Sequence, residues 1–151
     1  MFLGLSDAEI RRITELPSCR RYDCRAQDVI FEQGEEARLL YVLIEGRVQL
    51  LLRLTSPSQV AKEYLVVEMV TTGDFFGWSA LVAPHVYVLA AVCLEPSSVI
   101  AVAGAELNAL FDSDHHLGYK VMKAFAHILG ARLRGMQQTA RGKRPSHISE
   151  D

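Results

Sequence analysis

Apolar residues change their spacing twice along this chain. They follow a helical period up to Pro17, fall into short runs from Arg20 to Val102, and return to a helical period beyond Ala105. The first stretch opens on Ser6-Asp7-Ala8-Glu9, a capping box in which the Ser6 hydroxyl accepts from the Glu9 backbone and the Glu9 carboxylate reaches back. Ile10, Ile13 and Leu16 then form one apolar face, Arg11 and Arg12 face outward, and Pro17 ends the helix.

Between the helical ends, residues 29–31, 39–44, 48–54, 64–70, 86–94 and 98–102 are rich in β-branched and aromatic side chains and are predicted to be strands. Turn signals separate them: Gln33-Gly34-Glu35-Glu36, Glu45-Gly46, Ser56-Pro57-Ser58, Thr72-Gly73-Asp74 and Glu95-Pro96-Ser97. Short strands at this spacing, with few helices between them, predict an antiparallel sandwich or roll and exclude a parallel α/β sheet. One segment interrupts the series. Phe76-Gly77-Trp78-Ser79-Ala80-Leu81-Val82 has helical spacing and stops before Pro84, which predicts one or two helical turns whose free N–H groups form a generic anion site.

The last third is predicted as a short helix over 105–111, a break at Asp112-Ser113-Asp114, and a final helix over about 114–139. Leu117, Val121, Ala124, Phe125, Ile128, Leu129, Leu133 and Met136 give that helix an apolar face too wide for a single partner. It is expected to pack on the roll and on a second copy of itself, with Leu117, Val121, Phe125, Ile128, Leu129, Leu133 and Met136 at the homodimer seam. Arg132 and Arg134 are read as complementing the helix dipole. Residues 1–139 thus read as one domain, and the polar residues 140–151 as a flexible tail.

Composition narrows the partners. At 151 residues, 50% hydrophobic and 23% charged, the chain can bury one ordinary core without metal or disulfides. A net charge of −2 offers no global field for nucleic acid or an anionic membrane. Cys19, Cys24 and Cys93 are odd in number, residues 1–6 show no secretory pattern, and no apolar run is long enough for a spanning helix, so a soluble, cytoplasmic protein with reduced thiols is expected.

Three segments, taken together, resemble the cyclic-nucleotide-binding domain, and in particular the sensory domain of the CRP/FNR-type regulators. They are Phe2 to Glu9 at the first helix, Phe31-Glu32-Gln33-Gly34-Glu35 with Leu40 to Val48 over the first hairpins, and Gly73-Asp74-Phe75-Phe76-Gly77 followed by Ser79-Ala80-Leu81. The resemblance covers roughly residues 2–139. It implies a mainly β fold, an antiparallel double-stranded β-helix (jelly roll or β-roll), with an N-terminal helix, a short cassette helix and a long C-terminal helix. It also implies a ligand site at the cassette residues Phe76, Gly77, Trp78, Ser79, Ala80 and Leu81, continued by His85, Val86, Tyr87, Val88 and Leu89.

In family members that bind cyclic AMP or cyclic GMP, a Glu directly after the cassette glycine takes the ribose hydroxyl, and an Arg about ten residues on neutralises the phosphate. Here the Glu position is Trp78, and the Arg position falls in His85-Val86-Tyr87-Val88-Leu89, where His85 is the only basic residue. Losing two charge-assisted anchors costs about 3–6 kcal/mol, or roughly two to four decades in affinity. Trp78 either plugs the pocket as core or floors an apolar site for a flat ligand.

Other chemistry finds little support. His85, His115, His116, His127 and His147 supply no His-x-His pair on a strand, so no metal site is expected. Cys19 and Cys24 have neither metal nor redox-motif spacing and read as buried or half-buried thiols. Ser79 lacks a nucleophile elbow, so no catalytic residue is assigned and no enzyme is expected. Arg141-Gly142-Lys143-Arg144 reads as a solubilising tail, and the twelve residues after Thr139 are too few for the helix-turn-helix unit of the regulators. Whether the chain stands alone or belongs to a longer regulator stays open. The expectation is a non-enzymatic sensory domain that requires no cofactor, does not bind cyclic AMP or GMP in the usual mode, and answers an unidentified small-molecule effector. Two alternatives remain: a binding-dead dimerisation or docking module, and a weak cyclic-nucleotide receptor.

Overall fold

The computed structural model describes residues 4–54 and 63–142, with side chains placed through residue 138. The capping box forms as the sequence predicts: Glu9 N donates to Ser6 Oγ at 3.2 Å and Ser6 N to the Glu9 carboxylate at 2.9 Å, opening α1 over Asp7–Thr14. The same carboxylate accepts from Lys120 Nζ at 3.0 Å, which ties the first helix to the last. The Ser6 backbone N–H, then Lys120, hold the Glu9 carboxyl down at about 2.

Eight strands follow: β1 (Arg20–Cys24), β2 (Val29–Phe31), β3 (Leu39–Glu45), β4 (Val48–Leu54), β5 (Glu63–Val70), β6 (Phe75–Phe76), β7 (Ala90–Cys93) and β8 (Ser97–Ala103). They form two antiparallel four-stranded sheets, ordered β1-β8-β3-β6 and β2-β7-β4-β5, the predicted β-roll. Most predicted strands hold to within a residue. Three differences stand out. The run 86–94 is not one strand, because residues 85–87 bond instead to the Gly34–Ala37 turn (Ala37 N to His85 O at 2.7 Å, Gly34 N to Tyr87 O at 2.8 Å), and only Ala90–Cys93 joins a sheet. β1 carries no alternation, since four of its five side chains are exposed, and it exists because β8 offers it an edge to pair with. β6 is two residues long, too short for periodicity to register. The Ser56-Pro57-Ser58 turn lies outside the described residues.

The β3–β4 turn depends on one glycine. Gly46 has φ +106°, and a Cβ there would lie 2.7 Å from the Ser97 Cα, so neither the backbone angle nor the space admits a side chain.

After β8, α2 (Gly104–Ser113) and α3 (His115–Gly142) complete the fold. Asp114 breaks them apart and caps the second, its carboxylate accepting from Leu117 N at 3.1 Å. The final helix runs three residues beyond the predicted end, so the first residues of the expected tail are helical; residues 143–151 lie outside the described residues. Two cores result. One fills the roll, around Phe31, Tyr41, Leu43, Val48, Phe76, Tyr87 and Cys93. The other lies between the roll and the helices, around Leu5, Leu40, Phe75, Leu107, Phe111, Leu117, Val121 and Phe125.

Candidate functional site

The cassette begins where β6 pairs with β3, Tyr41 against Phe76 and Val42 against Phe75. Because strand side chains alternate, Phe76 enters the roll while Phe75 faces the helices. Gly77 then takes φ +81° and starts a single 3₁₀ turn over Trp78–Leu81. This is the lower end of the one or two helical turns expected. Ala80 N donates back to Gly77 O at 3.2 Å and closes the turn.

The turn is clamped from outside. Asn108 Nδ2 donates to Leu81 O at 3.0 Å, and a Cβ on Gly104 would sit 2.1 Å from Ala80 O, so α2 presses directly on the cassette. His85 places Nδ1 3.3 Å from Ser79 O, bound to the turn rather than aimed at a ligand. Ser79, Ala80 and Leu81 are buried, whereas Val86 and Val88 are exposed, Val88 at 52%. Six of the eleven predicted site residues, Gly77, Trp78, Ser79, Tyr87, Val88 and Leu89, line one small cavity, and Phe76, Ala80, Leu81, His85 and Val86 lie outside its lining.

Beside the cassette, the space between Phe31, Leu50, Gly77, Trp78, Tyr87 and Leu89 amounts to about 20 Å³. That is room for one water, against about 300–1,000 Å³ for a ligand pocket. The filling is aromatic. Tyr87 stacks on Phe31 with centroids 3.8 Å apart, Phe31 stacks on Tyr41 at 5.7 Å, and Tyr41 on Phe76 at 5.3 Å. Tyr87 Oη donates to Leu39 O at 2.6 Å, which fixes the ring in place. Burial pushes the hydroxyls of Tyr41 and Tyr87 above the usual tyrosine range. Trp78 is half-buried and packs toward the helical core, so the rings inside the roll, not the indole, fill it.

Sequence reasoning missed two residues. Arg132 of α3 is only 10% exposed and reaches the edge of this small cavity. Its Nε pairs with the Glu68 carboxylate of β5, its Nη2 donates to Phe75 O at 3.2 Å, and its guanidinium lies 5.8 Å from the Phe75 ring centre. Burial raises the Glu68 carboxyl and Arg132 opposes the rise. Arg132 therefore does not serve the helix dipole. A signal was present in the spacing: Phe125, Ile128 and Arg132 share one helical face, so periodicity alone puts the guanidinium against the roll.

The predicted dimer stripe divides. Leu117, Val121 and Phe125 are buried in the chain's own helical core, so they are not free to form a seam. Ile128 and Leu129 are half-buried, while Leu133 and Met136 are 57% and 44% exposed. Among the described residues no three His, Cys, Asp or Glu side chains gather as a metal site, and no helix is long and apolar enough to cross a membrane.

Comparison with known proteins gives these geometries a family. The cyclic nucleotide-binding domain family matches residues 22–114. A structure from Geobacter metallireducens, described as a cyclic nucleotide-binding protein, is 28% identical with a TM-score of 0.70 over 87% of this chain and 90% of that one. A cyclic nucleotide-binding domain from Methylobacillus flagellatus is 18% identical with a TM-score of 0.79 over 97% and 78%. The catabolite activator protein of Thermus thermophilus is 21% identical with a TM-score of 0.72, over 93% of this chain but 61% of its own. No curated protein sequence matches the chain.

Proposed function

This chain belongs to the cyclic nucleotide-binding domain family, and from that membership we propose that it is a non-enzymatic regulatory module that does not take up cyclic AMP or cyclic GMP in the usual mode. The filled interior carries the reading. About 20 Å³ remain beside the cassette, Trp78 stands in place of the ribose-binding Glu, and no Arg follows in His85-Val86-Tyr87-Val88-Leu89. Opening the site means parting Tyr87 from Phe31 and breaking its bond to Leu39 O, with no cassette cation to compensate. Such a module acts through what it presents, and the exposed distal face of α3, with Leu133 and Met136, suits a second copy of the chain in the cytoplasm.

Arg132 favours a second reading, in which the module still senses an effector. Among the described residues it is the one charged side chain at the small cavity, and Glu68 neutralises it from within the chain. An anionic effector that displaced Glu68 would open the pocket and release the distal half of α3 together.

Calorimetry with cyclic AMP and cyclic GMP, followed in parallel by the emission of Trp78, separates the readings. Up to about 1 mM, no saturable signal is expected from the wild-type chain. Saturable binding at micromolar levels would overturn the proposal. Weak binding that strengthens in Glu68→Gln would favour the sensing version.

A further inference from the structure

The cysteines pair in a way their sequence spacing conceals. Cys24 ends β1 in one sheet and Cys93 ends β7 in the other, 69 positions away, yet Cys24 packs against the interior cluster that holds Cys93. Backbone bonds hold them there. The turn that leaves Cys24 folds over Cys93, with Gln27 N donating to Cys93 O at 2.7 Å and Cys93 N donating to Asp28 O at 2.9 Å. Access differs between the two. Cys93 is fully buried, whereas Cys24 is half-buried and lines a cleft of about 330 Å³ with Tyr22, Asp28, Val29 and Tyr41. Cys19 is half-buried too, but packs in the helical core apart from this pair.

We propose that Cys24 and Cys93 form an oxidisable dithiol, closed to a cross-sheet disulfide by a small disulfide oxidant that enters the cleft at Cys24. Oxidised glutathione illustrates the balance. The Cys24 thiolate attacks one sulfur of the oxidant, giving a Cys24–glutathione mixed disulfide and one glutathione thiolate, which takes up the proton Cys24 has lost. The Cys93 thiolate then attacks the Cys24 sulfur, forms the Cys24–Cys93 bond and expels the second glutathione. Two thiols are oxidised and one external disulfide is reduced.

The order of steps follows from burial. Burial and the neighbouring Cys24 push the Cys93 thiol up to about 12, so Cys93 is a scarce thiolate and the second step is slow. Closure should therefore quicken by about tenfold for each pH unit between 7 and 9. The product would link the sheets across a 69-position span, which restricts the unfolded chain far more than the native one.

The test uses the full chain, reduced and then exposed to oxidised glutathione, with free thiols alkylated at intervals. Intact mass should fall by two hydrogens, peptide mapping should join residues 24 and 93, and Cys19 should alkylate throughout. The oxidised chain should melt about 5 °C or more above the reduced one, and dithiothreitol should return it. Cys24→Ser should abolish the internal disulfide without oxidation moving to Cys19. A stable glutathione adduct on Cys24 that never closes would overturn the proposal, as would first oxidation at Cys19 or disulfides only between chains.

Discussion

The two halves of α3 carry one continuous apolar stripe and meet opposite surroundings. In the proximal half, Leu117, Val121 and Phe125 are buried against α2 and the outer face of the roll, and Phe125 stacks on Phe75 at 3.7 Å. Beyond Arg132, every described side chain from Leu133 to Gln138 is exposed. The spacing does not change between them; the facing surface does. A helical stripe states that a face will be covered, and leaves the cover unnamed. Here the chain covers the first half itself, and Arg132, bound to Glu68 and the Phe75 carbonyl, ties the helix to the roll just before the exposed stretch.

Emptying the proximal half should have the largest effect. Phe125→Ala removes a ring buried on both flanks and should cost about 3–5 kcal/mol in urea denaturation followed by circular dichroism. A loss below about 1 kcal/mol would mean that the proximal half, like the distal one, awaits a partner.

The boundary between the halves comes next. Arg132→Met leaves the Glu68 carboxylate without its cation, yet Glu68 is 26% exposed and can draw on water, so a cost of about 1–3 kcal/mol is expected, below that for a fully buried pair. The double variant Arg132→Met with Glu68→Met should recover most of it, because no uncompensated charge remains. Equal losses in the single and double variants would show that the pair contributes packing and no latch.

The same contrast explains what the sequence made legible. Strands β3 and β4 bury alternating or near-continuous apolar residues, β5 carries an apolar run although most of its side chains are exposed, and the limits of all three come out to within one residue. The capping box fixes α1 because its signal is wholly local. The roll with its flanking helices and the family were likewise readable, through glycine turns and the cassette segment. What escaped depends on remote partners. β1 exists through β8, residues 85–87 leave their predicted strand for the Gly34–Ala37 turn, and Arg132 finds Glu68 64 positions away. The aromatic packing beside the cassette escaped for the same reason. Trp78 drew attention by standing in the cassette, whereas Tyr87 and Phe31 fill the roll from opposite ends of the β region.

The distal half gives the smallest effect on folding and the clearest on assembly. Leu133 and Met136 are exposed in the single chain, so Leu133→Lys with Met136→Lys should change its stability by no more than about 0.5 kcal/mol. The stripe they continue should nonetheless need them to join a second copy, where each lysine would bury a charge against an apolar partner. Sedimentation of the wild-type chain should give a dimer and that of the double variant a monomer, with matching denaturation curves once both are monomeric. If the variant sediments as the wild type does, the distal stripe is not the seam. If it unfolds early as well, these two side chains belong to the fold, and the division at Arg132 is drawn too soon.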